Sequence, residues 1–344
     1  MSPGMTRPPL LSVFIPTYNG ATYVKEAIES VLDNGFADLE VVVVDDGSSD
    51  ATVRTVESIR HPAIRLTRNP RNLGVIETRR RGVPLLRGRY LALLDQDDIA
   101  VHGRFQAQID RLETAGGPDI VGGAIENFGD LKGVKSFYAS DAEIRAALLI
   151  NASIANPAVC MKVAPLREGL IAYSVDAGPA ADYALWVDAA LAGLRLENLA
   201  MVVTRYRRHA GSMTRTHRDE MLVRACQVRK RVVDAYFPAF PEGERIALVD
   251  AVSGGFETLQ LWRGGIYALS RAALAAIEIP GIDSALMVSL LSAHAMRLID
   301  DALRRGAANC DTLEMMAEAN PYFEQWRAAD NGALDIRIMA LFSQ

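Results

Sequence analysis

Carboxylates crowd one short segment of the sequence, and their spacing suits the binding of a cation. Asp95-Gln96-Asp97-Asp98 places three carboxylates within four residues, directly after an apolar run. Such groups repel one another unless water solvates them or a cation bridges them. Their hard oxygens suit Mg²⁺ or Mn²⁺, which also bind substrate phosphates. A solvated acidic turn explains the same residues, so this segment alone leaves both interpretations open.

A second acidic segment, Asp45-Asp46-Gly47-Ser48, follows the most strongly apolar run of the chain. A carboxylate at such a point can accept hydrogen bonds from a nucleobase or a ribose. A strand-to-helix turn with a helix cap explains residues 47–50 without any ligand. It does not explain why Asp46, a second carboxylate, should stand at the end of a buried strand.

Three further positions are candidates for ligand contacts, and each has a structural alternative. Arg79 begins a run of three arginines that suits a phosphate or a carboxylate, or simply a solvated helix face. Asp182 stands where a helix is predicted to begin, and the helix dipole favours a carboxylate there. His209 lies in a basic segment, residues 205–212, that suits a diphosphate or a metal shell, although most single histidines are structural.

The elements that must position these residues alternate between strand and helix patterns over the first hundred residues. Strands are predicted at residues 10–15, 39–44, 64–67 and 90–94, with helices at 23–32, about 50–59 and 75–86. This order predicts a parallel sheet with right-handed crossovers. Both acidic segments then lie at the carboxyl ends of strands, where open α/β sheets bind ligands.

The pattern changes along the rest of the chain. Short strands are predicted at 120–125, 159–163 and 202–206, around a helix at 180–192. Beyond about residue 216 the predicted elements are all helical, at 221–236, 245–262, 268–277 and 284–304, punctuated by Gly and Pro. We therefore predict two units, residues 1–216 and a helical C-terminal extension of residues 217–344.

Taken together, the motifs resemble the family 2 glycosyltransferases with the GT-A fold. The resemblance is carried by Val-Phe-Ile-Pro-Thr-Tyr-Asn at 13–19, Val-Val-Asp-Asp-Gly-Ser-Ser-Asp at 43–50, Asn72-x-Gly74, Gly-Arg-Tyr-Leu-Ala-Leu-Leu-Asp-Gln-Asp-Asp at 88–98, Asn156-Pro157, Asp-Tyr-x-Leu-Trp at 182–186 and Tyr-Arg-Arg-His-x-Gly-Ser at 206–212. It covers roughly residues 10–215. It implies an α/β fold with a mostly parallel, Rossmann-like sheet, and it leaves the helical extension unexplained.

The resemblance also implies roles for individual residues. The nucleotide-sugar site would comprise Pro16, Tyr18, Asn19, Asp46, Arg79, Asp95, Gln96 and His209. Asp97 and Asp95 would hold Mn²⁺ or Mg²⁺, with Asp97 the more direct ligand, and Asp182 would be the catalytic base. The chain departs from the family pattern at Ala181, where relatives usually have Glu, and at Arg80, where Asn is common. It lacks the Gln-x-x-Arg-Trp motif of processive synthases.

The expected activity is an inverting, metal-dependent transfer of a sugar from a nucleotide-sugar, with UDP as the family's common nucleotide, to an acceptor hydroxyl. The acceptor implied by the resemblance is a glycan or glycolipid of cell-surface polysaccharide synthesis. Two alternatives stay open at this point. A nucleotide-sugar pyrophosphorylase would need a Gly-rich basic signature that residues 16–19 do not match. A nucleotide-sugar-binding module without catalysis is suggested by Ala181.

Composition narrows the class of protein. Of 344 residues, 23% are charged and half are hydrophobic, and the net charge of -5 disfavours a nucleic-acid partner. Three scattered cysteines indicate reduced thiols in the cytoplasm. No secretory signal or membrane-spanning run is recognised. The basic, partly apolar stretch at 224–231 leaves peripheral contact with the inner face of a membrane open, and self-association into a homo-oligomer also stays open.

Overall fold

The computed structural model describes residues 7–209, 218–254 and 259–304. The chain divides into two compact units. The first contains the described residues up to Ser140 and those from Ala152 to Met221, and the second contains Asp141–Asn151 and the described residues from Leu222 onward. Gly211 and Ser212 of the last motif, Cys310 and the predicted extension beyond residue 304 lie outside the described residues.

The first unit is built on a nine-stranded sheet. Its strands are β1 (Leu11–Thr17), β2 (Leu39–Asp45), β3 (Ile64–Arg68), β4 (Tyr90–Leu93), β5 (Ile99–Ala100), β6 (Ile120–Gly129), β7 (Gly133–Lys135), β8 (Cys160–Lys162) and β9 (Leu196–Arg208). They are ordered β3-β2-β1-β4-β8-β6-β9-β5, and β7 pairs with β6 outside this path. Strands β3, β2, β1 and β4 pair with one another in parallel, which confirms the parallel sheet predicted for the first hundred residues, whereas β4 pairs with β8 in antiparallel orientation.

The helices and 3₁₀ turns complete both units. They are α1 (Val24–Leu32), α2 (Thr52–Ser58), α3 (Val75–Gly82), α4 (Arg104–Glu113), α5 (Asp141–Ala147), α6 (Ala164–Arg167), α7 (Ala181–Leu191), α8 (Arg218–Tyr236), α9 (Glu242–Ser253), α10 (Leu259–Ala275) and α11 (Ser284–Arg304), with 3₁₀ turns at Val83–Leu85, Asn156–Ala158, Val175–Ala180 and Ala276–Glu278. Helices α1, α2 and α4 contribute Ile28, Val56 and Phe105 to one core with the sheet. Helix α4 and the β6–β7 hairpin were not predicted from the sequence.

Strand β1 is apolar on both faces because helices cover it on both sides. Val13 and Ile15 belong to the core shared with α1 and α4. Phe14 points to the other face, below α3, where a Cβ on Gly82 would stand 2.2 Å from the Phe14 ring. Gly82 therefore permits close packing of α3 on the sheet, and this fixes the position of Arg79 one turn earlier.

A buried cation, Arg104, joins the parallel strands to the mixed part of the sheet. Its guanidinium is fully buried and donates to the carbonyls of Leu93, Pro157 and Val159 and to Thr204 Oγ1, at 2.7 to 3.2 Å. Burial lowers its pKa to about 10. These bonds join the end of β4, the segment just before β8 and Thr204 within β9, close in sequence to the Asp95 to Asp98 segment.

The second unit is helical in its described part. Arg229 on α8 is buried, and its side chain donates to Ile150 O at 2.7 Å and to Ser253 Oγ at 3.1 Å. The predicted helix at 245–262 is wrong, because α9 ends at Ser253 and Gly254 follows with φ +85°. A single boundary near residue 216 also misses α5, which belongs to this unit although it comes from the middle of the chain. Among the described helices, none has the length and apolarity that a membrane crossing requires.

Candidate active site

The candidate residues gather where β1, β2 and β4 end. Thr17 and Asp45 are register partners at the carboxyl ends of β1 and β2, and Pro16 pairs with Val44 one step earlier. The Asp95 to Asp98 segment follows β4 on the other side of β1. Parallel strands thus bring motifs that are far apart in sequence to one edge of the sheet.

Gln96 fastens the loop after β1 to the loop after β4. Tyr18 N–H donates to Gln96 Oε1 at 2.9 Å, and Gln96 Nε2 donates back to Tyr18 O at 3.1 Å. A Cβ on Gly20 would lie 2.0 Å from Gln96 Oε1, so glycine is required for this approach. The side chain of Gln96 is therefore committed to the protein, whereas the Tyr18 ring is exposed.

Asn19 fastens the same loop to the turn after β2. Its backbone N–H donates to Ser48 Oγ at 2.9 Å, and its side-chain oxygen accepts from Ser49 N–H at 2.9 Å. It adopts φ +46°, the left-handed region that asparagine tolerates better than most residues. The role of Asn19 in the structure is to shape the turn at which Tyr18 is presented.

Asp46 is 3% exposed and organises the segment before α3. Its Oδ1 accepts from Asn69 Nδ2 at 2.8 Å and from Leu73 N–H at 2.9 Å, and its Oδ2 accepts from Gly74 N–H at 2.8 Å. A carboxylate offers about four acceptor positions, so about one remains for a ligand. We refer to Tyr18, Asn19, Asp46 and Gln96 as the strand-end frame.

Arg79 and Asp95 form an ion pair, with Nη2 and Oδ1 3.0 Å apart. Arg79 is mostly buried, and its Nε has no hydrogen-bond partner among the described residues. Its guanidinium carbon lies 6.0 Å from the centre of the Tyr173 ring, and the buried Tyr173 hydroxyl likewise has no such partner there. Burial raises the pKa of Tyr173 to about 12, which keeps this hydroxyl protonated and able to donate.

Asp182 lies in the first turn of α7 and interacts electrostatically with Arg79 and Asp95. One of its oxygens accepts from Tyr183 N–H at 2.7 Å. Burial raises the pKa of Asp182 above its usual value, and the positive charge of Arg79 opposes this shift. The charge of Asp182 in turn contributes to the raised pKa of Asp95, whose main cause is burial. Arg79, Asp95, Tyr173 and Asp182 are called the reaction cluster below.

Asp97 pairs with His209 rather than with the arginines. Its Oδ2 lies 2.8 Å from His209 Nε2. The imidazole follows the end of β9, and its ring centre is 5.6 Å from that of Tyr23. Residues 112 positions apart in sequence thus form a direct contact between a carboxylate and an imidazole, which the spacing of the motifs could not reveal.

Arg207 and Asp98 hold this contact in place, and neither was predicted as an individual site residue. Arg207 N–H donates to Asp98 Oδ1 and its Nε donates to Asp97 O, both at 2.8 Å. Its guanidinium lies between the rings of Tyr23 and Phe128, at 4.5 and 4.4 Å. Burial and the neighbouring carboxylates of Asp95 and Asp97 raise the pKa of Asp98 well above its usual value. The Arg-Arg-His order after a strand was the available signal for Arg207.

The donor groups near Asp97 fit a hard divalent cation that completes its shell with substrate oxygens. Among residues 7–209, 218–254 and 259–304, no group of three or more His, Cys, Asp or Glu side chains forms a ready-made metal cage. Mg²⁺ in particular is usually held by one or two carboxylates together with phosphates and water. Asp97 and His209 supply two ligand side chains, while the nearest Asp95 oxygen is engaged by Arg79.

Comparison with known proteins identifies related glycosyltransferases. The family model described as glycosyl transferase family 2 matches residues 12–147. The Escherichia coli UDP-Glc:alpha-D-GlcNAc-diphosphoundecaprenol beta-1,3-glucosyltransferase WfaP is 30% identical over 226 residues, covering 65% of this chain and 86% of the relative. An uncharacterized glycosyltransferase of Haemophilus influenzae is 26% identical over 258 residues, covering 71% of this chain and 79% of the relative.

The fold is shared with solved structures. The crystal structure of Staphylococcus aureus TarS residues 1–349 in complex with UDP-GlcNAc superposes with a TM-score of 0.59 at 18% identity, covering 86% of this chain and 92% of TarS 1–349. This likeness confirms the predicted GT-A fold, with a sheet that is mixed beyond β4, and the helical C-terminal region. The chain belongs to glycosyltransferase family 2 and is a glycosyltransferase.

Proposed function

We propose that the chain transfers a sugar from a UDP-sugar to a hydroxyl of a growing polysaccharide precursor, with inversion at the anomeric carbon. The observation that carries this proposal is the convergence of the Asp97–His209 contact, the Arg79–Asp95 pair and Asp182 beside the strand-end frame. These groups provide, in one place, a cation site, a positively charged contact and a base. The membership in a glycosyltransferase family makes a pyrophosphorylase or an inactive module the weaker interpretation.

The nucleoside end of the donor is proposed to lie against the strand-end frame. The exposed Tyr18 ring can stack on a base, and the remaining acceptor position of Asp46 suits a base N–H. Pro16 has no backbone N–H and shapes the strand end below them. UDP is favoured because the name of the E. coli relative specifies UDP-Glc.

The donor diphosphate is proposed to lie between Asp97–His209 and Arg79. Asp97 Oδ2 and His209 Nε2 would hold Mn²⁺ or Mg²⁺, which supplies charge stabilisation to the leaving diphosphate when bound. Arg79 Nε, which is buried without a partner among the described residues, can donate to a phosphate or sugar oxygen. We assign Asp95 to orienting Arg79 and the donor, and Asp97 to the cation.

Asp182 is proposed as the base. Its carboxylate accepts the proton of the acceptor hydroxyl while that oxygen bonds to the anomeric carbon. The bond from the anomeric carbon to the diphosphate oxygen breaks, and UDP leaves with its electron pair. A base with a raised pKa holds the abstracted proton more firmly than an ordinary aspartate does, and burial raises the pKa of Asp182.

The acceptor is proposed to be a sugar linked through a diphosphate to a carrier lipid. The support is the name of the E. coli relative, which specifies an alpha-D-GlcNAc-diphosphoundecaprenol. The alignment covers 226 residues and 86% of that relative, so the likeness includes more of the chain than the residues proposed to bind the donor. The linkage and both sugars belong to this proposal and are tested with it.

The test is an assay with purified full-length chain, UDP-glucose, Mn²⁺ and a soluble acceptor in which geranyl diphosphate carries N-acetylglucosamine. UDP release and the anomeric configuration of the product are measured, the latter by proton NMR. A β-linked product supports inversion, and an α-linked product contradicts it. The exposed Asp176, six residues before the base, provides the matched control: Asp176→Asn should retain turnover and Asp182→Asn should lose it. No UDP release with a panel of UDP-sugars would overturn the choice of nucleotide.

A further inference from the structure

Strand β9 carries three arginines near its end, and their environments differ by face. Parallel pairing places Asn127 beside Tyr206 and Phe128 beside Arg207. Alternate residues of a strand point to opposite faces. One face therefore contains Arg205 and Arg207, and the opposite face contains Tyr206 and Arg208.

Acidic side chains of the protein neutralise the positive charges of Arg205 and Arg207. Arg205 pairs with Glu126 at 3.0 Å, and Arg207 pairs with Glu26. Both guanidinium groups also lie on the ring of Phe128, at 4.6 and 4.4 Å. This face has no unmet charge to offer a ligand.

The opposite face has unmet positive charge. Lys135 on β7 is the register partner of Ile125, so it shares this face with Tyr206 and Arg208. Within the described residues neither Lys135 nor Arg208 forms an ion pair, and each lies on an aromatic ring: Lys135 Nζ is 4.8 Å from the Phe137 ring centre, and Arg208 is 5.5 Å from that of Tyr206.

Gly133 leaves open space on this face, whereas Gly129 lets β6 approach the Arg208 backbone closely. Gly129 is the register partner of Arg208, and Gly133 lies two residues before Lys135 on the same face. A Cβ at Gly133 would meet nothing within 4 Å. Two like charges without an ion-pair partner among the described residues, with open space at Gly133, are the features of a site that an external anion completes.

We propose that Lys135 and Arg208, with the rings of Phe137 and Tyr206, bind the phosphate groups of an anionic acceptor. This proposal rests on the proposed function for the reaction itself and deepens it by naming the residues that bind the acceptor's phosphate groups. The site begins one residue before His209, which contacts Asp97. The rings suit sugar or prenyl groups next to the phosphates.

The test measures binding by isothermal titration calorimetry to full-length chain saturated with UDP and Mn²⁺. Two probes differ only in the diphosphate: geranyl diphosphate-linked N-acetylglucosamine and geranyl N-acetylglucosaminide. We expect Lys135→Gln and Arg208→Gln each to raise the Kd for the first probe about tenfold, and to leave the Kd for the second within about twofold. Lys132→Gln, an exposed lysine on the turn of the same hairpin, is the matched control and should leave both values unchanged.

Several results would overturn the proposal. Equal binding of the two probes by the unsubstituted chain would show that the diphosphate is not recognised, and equal weakening by Lys132→Gln would show a diffuse charge effect. If the two variants instead lose flotation with phosphatidylglycerol vesicles while probe binding is unchanged, the face binds a lipid surface. Lys135 is exposed on an edge strand, so its variant should fold even if Arg208→Gln does not. Probe binding is also measured without UDP. Failure of UDP to bind with Mn²⁺ would therefore contradict the proposed function without affecting the test of this site.

Discussion

The strand-end frame and the reaction cluster lie at the same edge of the sheet, but they differ in how their polar atoms are used. In the frame, Asp46 accepts three hydrogen bonds and Gln96 makes two, all with protein partners. In the cluster, Arg79 Nε and the Tyr173 hydroxyl are buried without a partner among the described residues. Buried polar groups are nearly always hydrogen-bonded, so an unpaired one indicates a hydrogen bond that a ligand can complete. The frame is built by the chain alone, and we infer that the cluster is completed by substrate.

The largest expected effect is a loss of turnover when Asp182 of the reaction cluster is replaced. Asp182→Asn removes the proposed base while keeping the shape of the side chain, so kcat should fall about 1000-fold. The affinity for UDP with Mn²⁺ and the midpoint of thermal unfolding should stay close to those of the unsubstituted chain. Steady-state kinetics and calorimetric titration check both points. Retained turnover in a folded variant would assign Asp182 to capping α7 alone.

A substitution in the strand-end frame should lower the stability of the protein. Asp46→Ala leaves Leu73 N–H, Gly74 N–H and Asn69 without their acceptor, and we expect the free energy of unfolding to fall by about 3 kcal/mol. Urea unfolding followed by circular dichroism measures this. The exposed Asp33 gives the control, since Asp33→Ala should change the value by no more than about 0.5 kcal/mol. A destabilisation no larger than that of the control would show that Asp46 is not part of a self-sufficient frame.

The sequence predicted the frame's location better than its internal contacts. The strands that end at residues 17, 45 and 93 were recognisable because continuous apolar runs stop at polar turns, and parallel order then brings those turns together. The donors that occupy Asp46 come from residues 69–74, and no local pattern identifies such partners. The resemblance to a family located the candidates, whereas their hydrogen bonds required the structure.

Around the reaction cluster, the sequence predicted the positions of the carboxylates but not the directions of their side chains. Asp95 and Asp97 are two residues apart and were both expected at the cation, but one faces Arg79 and the other His209. Tyr173 was missed because it lies in a segment with no recognised motif, and Arg104 was missed with the whole of α4. Side-chain direction at a turn depends on tertiary contacts such as those of Arg207 with Asp97 and Asp98.

A smaller effect should follow from loosening the link between the loops. Gln96→Ala removes both hydrogen bonds to Tyr18, and stability should fall by about 1 to 2 kcal/mol. The affinity for UDP should weaken as well, because the Tyr18 loop loses its support. Gln106→Ala, an exposed glutamine on α4 that bonds only Asp110 in the structure, is the matched control. Unchanged UDP affinity in Gln96→Ala would separate Tyr18 from nucleotide binding.

The smallest expected effect is a displacement of the pH profile. The base works when deprotonated, so kcat/KM should fall as the pH drops through the pKa of Asp182. Because burial raises that pKa, the midpoint of the acid limb should lie above the ordinary aspartate value of 3.8. Stopped assays in overlapping buffers measure the profile, with circular dichroism confirming that the chain stays folded. A midpoint at or below that value would mean that another group limits the rate.

Asp97 and His209 are proposed to hold the cation that binds the donor diphosphate. The most direct measurement is the thermal unfolding midpoint with UDP, with and without Mn²⁺, for the unsubstituted chain, Asp97→Ala, His209→Ala and the double variant. Selective binding to the native state raises the midpoint. We predict a rise that needs Mn²⁺, is lost in either single variant and is not reduced further in the double variant. A Mn²⁺-dependent rise that persists in Asp97→Ala would place the cation elsewhere and contradict the account.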